Sequence, residues 1–113
     1  MNNEIKTCLF DIHKAISEIE SYFSEKPMKF QDYLSDIKTK RAVERDLEII
    51  GEAFNRILKI DKTFTFKNIH KIIGTRNRII DGYDSVSDDL IWSIVINHIP
   101  KLKTEVEDKL NEG

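Results

Sequence analysis

The sequence predicts an all-α protein, an up-and-down antiparallel bundle of four main helices plus one short helix, built as a single domain over residues 1–113. Three observations predict it. Apolar residues recur at three- and four-residue spacings over long stretches, no segment shows the two-residue alternation of a half-buried strand, and short connections favour antiparallel neighbours. A chain of 113 residues suffices for one packed core with little to spare. Its large surface relative to volume also predicts burial of an apolar face against a partner or a second copy of the chain, with self-association the first expectation.

The first helix is expected from Glu4 to Phe23, where Ile5, Cys8, Leu9, Ile12, Ile16 and Ile19 form an amphipathic stripe. Pro27 stops it, because proline lacks the amide that would continue the ladder and disfavours helical angles at Lys26. Phe30 to Ile37 places Phe30, Tyr33, Leu34 and Ile37 at helical spacing and predicts the short helix. A second long helix is expected from about Lys40 to Ile60, with Val43, Leu47, Ile50, Phe54 and Ile57 turned inward. Gly51 interrupts it at a propensity cost of ~1 kcal/mol, which predicts a close helix crossing at that level.

Asp61 to Phe66 breaks the pattern, and a third long helix starts at Lys67 and exits at Gly82. Ser87, Asp88 and Asp89 read as the N-terminus of the last helix, since hydroxyl and carboxylate groups favour that end. Its stripe runs through Leu90, Ile94, Val95, Ile99, Leu102 and Val106, and Pro100 predicts a kink near the middle.

Lys and Arg number 18 against 20 Asp and Glu, so the net charge of −2 excludes a uniformly basic nucleic-acid binder. Any polyanion site must be local. The lone Cys8 excludes an internal disulfide and reads as a small buried residue. With no signal-peptide pattern and no membrane-length apolar run, the expected location is cytoplasmic. His13, His70 and His98 show no metal-ligand spacing, and Asp84, Asp88 and Asp89 lack the loop spacing of a calcium site, so no metal or other cofactor is expected. Trp92 fits either the core or a dimer interface.

Lys62, Lys67, Lys71, Arg76 and Arg78 fall in a stretch without a single acidic residue, followed at once by Asp81 and Asp84. Such a stretch either attracts an anion such as phosphate or is simply a solvated helix face with its cations near the negative end of the dipole. Glu52 either reaches across the bundle to Arg76 or pairs with Arg56 four residues on; the intrahelical pair is the simpler expectation.

Arg76-Asn77-Arg78-Ile79-Ile80-Asp81-Gly82-Tyr83 resembles the signature of HepT-like HEPN proteins: Arg-Asn, four further positions ending in His, one spacer, then Tyr. Ile49-Ile50-Gly51-Glu52-Ala53 is similar to a second recurring element of that family, and Asp89-Leu90-Ile91-Trp92 with Ile99-Pro100-Lys101-Leu102 suits its final helix. The resemblance implies a HEPN-like bundle and a metal-independent ribonuclease toxin acting in a groove between two subunits. Arg76, Asn77 and Asp81 stand at the catalytic positions, and Arg78 and Lys71 would contact RNA phosphates. A guanidinium suits the first role, because it offers planar bidentate hydrogen bonds to phosphate and stabilises charge building in the transition state. Tyr83 corresponds to the residue that receives AMP from the partner, an MntA-like minimal nucleotidyltransferase antitoxin.

Position 81 departs from the pattern, with Asp where the family has His. An exposed Asp titrates near ~4, so at neutral pH it is a feeble base and no acid, and its charge opposes an incoming phosphate. Three readings follow: a naturally attenuated member, an inactivating replacement, or an ion pair of Asp81 with Arg76 or Arg78. The same residue favours a different class of function, a non-catalytic helical module that binds a nucleotidyltransferase partner or a nucleotide.

Overall fold

The computed structural model describes residues 2–24, 29–67, 69–81 and 88–112, with residues 80 and 81 described by their backbone alone. These residues form six helices and no strand: α1 (Asn3–Tyr22), α2 (Phe30–Ser35), α3 (Ile37–Ile60), α4 (Ile69–Asp81), α5 (Asp88–Asn97) and α6 (Ile99–Glu112). The expected all-α bundle is what forms. Helix α3 is its axis, packing on α1 along one face, on α4 along another and on α2 near its start, while α6 packs on α1 and α5. Among the described residues, no helix is long and apolar enough to cross a membrane.

Helix α1 begins where the Asn2 side chain accepts hydrogen bonds from the amides of Glu4 (2.7 Å) and Ile5 (3.2 Å), satisfying two otherwise orphaned donors. Its stripe is buried as expected, with Leu9, Ile12 and Ile16 fully enclosed against α3 residues such as Val43, Leu47 and Ile50. Burying each such side chain contributes roughly 1.5–3 kcal/mol. Beside this seam Phe23, Phe30 and Tyr33 surround Trp92, with ring centroids 5.8, 5.9 and 5.2 Å from it. Trp92 therefore serves to fasten α2 and the end of α1 to α5.

Apart from shifts of one or two residues at α1 and at the start of α4, the structure departs from the sequence reading in two places. The short helix ends at Ser35, and Asp36 caps α3 by accepting from the Thr39 amide (3.1 Å) and hydroxyl (2.7 Å). Helix α3 thus starts at Ile37, which belongs to α3 and not to the short helix and is 68 % exposed. The last helix is divided rather than kinked, α5 ending at Asn97 and α6 starting at Ile99. Pro100 explains the division: in the first turn of α6 its missing amide costs nothing, whereas inside a continuous helix it would remove a hydrogen bond.

One acid sits where the stripe of α3 should be apolar. Asp46 is 1 % exposed, accepts a 2.7 Å hydrogen bond from the Tyr22 hydroxyl and shares another with Glu18 of α1. Burial, reinforced by Glu18, raises its pKa from 3.8 to about 7, against the lowering effect of the Tyr22 hydrogen bond. Between those two values the folded chain holds a proton that the unfolded chain has released, so stability is full below about 3.8 and falls as pH rises through 7. Asp46→Asn keeps an acceptor for Tyr22 and a donor for Glu18 and removes the titration. Urea denaturation should therefore show the variant more stable than wild type by about 1–4 kcal/mol at pH 8, with the gap closing toward pH 4. The Tyr33 hydroxyl is buried without a hydrogen-bond partner among the described residues. Tyr33→Phe is expected to stabilise the fold by about 1 kcal/mol, read as a raised thermal midpoint.

Candidate functional site

Helix α4 lies on α3 through Ile69, Ile72 and Thr75, all buried, and the Thr75 hydroxyl satisfies itself on the Lys71 carbonyl at 2.9 Å. Arg76 follows on the flank of this contact. Its aliphatic stem lies across Gly51 of α3, so that a methyl group placed on Gly51 would come within 2.7 Å of Arg76 Cγ and nearer still to its Cβ. The close crossing expected from a glycine inside a long helix is thus present, and what occupies the space is the side chain of Arg76.

The guanidinium at the end of that stem is held from two sides. Its Nη2 donates to Glu52 Oε2 at 2.6 Å and its Nη1 to Asn77 Oδ1 at 2.8 Å. Glu52 also receives Arg56 Nε at 3.6 Å on its other oxygen, so both alternatives foreseen for Glu52 are realised at once. The Arg76 side chain is 22 % exposed, yet its Nε is buried without a partner among the described residues. Only the outer part of the guanidinium is therefore offered to a ligand. A cavity of about 490 Å³ opens beside it, lined by Asp11, Glu48, Ile49, Glu52, Ala53, Arg56 and Arg76.

The remaining sequence candidates separate. Arg76 and Asn77 are joined by their hydrogen bond and occupy the C-terminal half of α4. Lys71 and Arg78 are both exposed, and their seven-residue spacing puts them on one face of α4, roughly 140–160° around the helix from Arg76. Lys71 faces the α5–α6 junction, where burial first and then Lys71 and Lys101 depress the pKa of His98. Asp81 closes α4, one turn after Asn77, but its side chain, like the whole of Tyr83, Asp84 and Ser87, lies outside the described residues. Asp88 opens α5 as expected and forms a 2.9 Å ion pair with Lys40 of α3. Among the described residues no three His, Cys, Asp or Glu side chains gather as a metal site.

A guanidinium fixed in this way can do one thing well: present rigid, charge-assisted hydrogen bonds to an anionic oxygen. Its placement depends on the gap at Gly51. Gly51→Ala, which would otherwise improve helix propensity by ~1 kcal/mol, should instead destabilise the protein by about 1–3 kcal/mol in urea denaturation, because the stem of Arg76 must move.

The comparisons with known proteins point in one direction. A family model described as ribonuclease HepT-like matches residues 12–108. The chain is 36 % identical over 113 residues to a protein of Thermococcus cleftensis named "Probable ribonuclease HepT", covering 95 % of this chain and 96 % of that one. Two proteins of Methanocaldococcus jannaschii, both provisionally named as RNases, are similar as well. One is 32 % identical over 106 residues, covering 92 % of this chain and 94 % of that one. The other is 30 % identical over 113 residues, covering 96 % and 89 %. No solved structure matches the chain.

Proposed function

The chain belongs to the HepT-like ribonuclease family, and from that premise we propose that it is the ribonuclease toxin of a toxin–antitoxin pair, cleaving RNA without a metal ion. The observation that carries the reading is the anchored guanidinium of Arg76, tied to Asn77 at 2.8 Å and to Glu52 at 2.6 Å and still partly open to solvent. In the reaction Arg76 stabilises the charge that gathers on the phosphate oxygens, and Asn77 keeps the guanidinium aimed. Asp81, in the position of the family's His, serves only as a weak base, and the activity is correspondingly attenuated. Lys71 and Arg78, from the other side of α4, hold flanking phosphates of an RNA that wraps the helix, or grip RNA across a homodimer.

Tyr83, seven residues after Arg76, is the acceptor for AMP delivered by an MntA-like nucleotidyltransferase antitoxin; the added phosphate brings negative charge and bulk to the site. Ile49, an exposed apolar side chain lining the cavity beside Arg76, suits burial in a homodimer. The presence of Asp at position 81 supports a second reading, a non-catalytic module that binds the nucleotidyltransferase or a nucleotide.

The two readings part in one experiment. A labelled single-stranded RNA incubated with the protein in excess EDTA should be cleaved slowly by wild type and faster by Asp81→His. Arg76→Ala should lower the rate by roughly 100-fold or more. If wild type and Asp81→His leave RNA intact while Tyr83 still gains the mass of AMP from the partner and ATP, the non-catalytic reading stands and the ribonuclease reading falls.

A further inference from the structure

Helix α3 contributes more to the site than a packing surface. Two consecutive residues of it are matched to two parts of one side chain on α4: Gly51 leaves room for the stem of Arg76, and Glu52 receives its head at 2.6 Å. Glu52 is an unusual neighbour for a phosphate-binding arginine, since a carboxylate repels the same anion that the guanidinium attracts. The cavity that Glu52 lines makes this plainer. Its charged side chains are Asp11, Glu48 and Glu52 against Arg56 and Arg76, an acidic balance unsuited to holding phosphate there. Nor can Arg76 simply be paired for stability at the surface, because its side chain is 22 % exposed and its Nε is buried with no partner among the described residues. An arginine placed so deeply has lost most of its solvent and needs a fixed counter-charge to stay in one geometry.

We propose that Glu52 is the positioning residue of the site: it acts through Arg76, fixing the guanidinium so that the part not taken by Glu52 and Asn77 faces an RNA phosphate. The proposal rests on the ribonuclease reading for the identity of the anion, and on the geometry for the role. Arg56 completes the arrangement by sharing the Glu52 carboxylate at 3.6 Å, which holds that carboxylate in place from the solvent side and offsets part of its charge. The guanidinium is thereby pre-organised, and the entropy of orienting a long side chain is lost on folding rather than on binding RNA.

Cleavage kinetics on an oligoribonucleotide test this, using wild type or, for a faster signal, the Asp81→His background. Glu52→Gln should lower kcat roughly 10- to 100-fold with KM within about twofold, because ground-state binding through other contacts survives while transition-state alignment does not. In an Arg76→Ala background the same Glu52→Gln change should have no further effect, since a residue acting through Arg76 has nothing left to act on. Asp11→Asn, which alters the same cavity without touching the guanidinium, should leave kcat unchanged. A Glu52→Gln effect that persists in the Arg76→Ala background, or a loss confined to KM, overturns the positioning role.

A second measurement does not depend on catalysis. In protein labelled with ¹⁵N-arginine, the Nη signals of Arg76 should be resolved in wild type, where rotation about the guanidinium bonds is slowed, and should merge in Glu52→Gln. Resolved signals in both proteins overturn the proposal whatever the enzyme does. If neither wild type nor Asp81→His cleaves RNA, the ribonuclease reading is lost, and the guanidinium signals alone decide whether Glu52 fixes Arg76.

Discussion

Everything in this bundle depends on α3 meeting two neighbours at once with one short-range exception to ordinary side-chain packing. Toward α1 the helix presents branched aliphatic residues, and the seam is an oily interdigitation of the kind that supplies most of the stability of a small domain. Toward α4 it presents Gly51, and the space without a Cβ is filled from the other side by the methylenes of Arg76. Long cationic side chains commonly lay their stems on apolar surface and keep the charge outside. Here the stem is enclosed and the charge is met by the next residue of the same helix. The stem of the cation is accordingly placed by the gap at Gly51 and its head by the carboxylate of Glu52.

Much of this was legible in the chain, and what was not has identifiable causes. The inward stripes of α1 and α3 follow from periodicity, because only one face of each helix can be buried. Helix starts were harder: Asn2 and Asp36 cap α1 and α3 with side-chain oxygens, and the Asp36 cap moves the start of α3 from Lys40 to Ile37. Asp46 was invisible, since nothing in a linear pattern tells that an acid on the buried face will find Tyr22 and Glu18 from another helix. At the candidate site, Arg76 and Asn77 stood out by their motif, and Gly51 signalled a crossing without saying with what. Glu52 was foreseen only as one of two alternatives, because reaching across the bundle requires a tertiary contact that spacing within α3 cannot report. Lys71 and Arg78 shared a basic stretch with Arg76, and their separation around α4 needs only the helical angle once the helix is established.

The charge pattern is correspondingly divided. Helix α4 carries exposed cations on one side and, on another, a guanidinium embedded among carboxylates. The first kind of charge is screened by salt and acts over a broad surface; the second is only partly open to solvent and acts over hydrogen-bond distances. A polyanion drawn toward Lys71 and Arg78 would feel little of Arg76 until it came into contact with it.

The proline near the middle of the last third of the chain has a mechanical meaning. Helix α5 is fastened to α3 by the ion pair of Lys40 with Asp88, whereas α6 is fastened to α1 by Lys103 with Glu20 at 3.1 Å and by His13 with Glu107 at 3.3 Å. A single straight rod would have transmitted any tilt at one of these attachments directly to the other. With one rung of the backbone ladder missing at Pro100, the two rods meet at a joint, and a tilt arising where α5 is tied to α3 can relax there before it reaches the far side of the bundle.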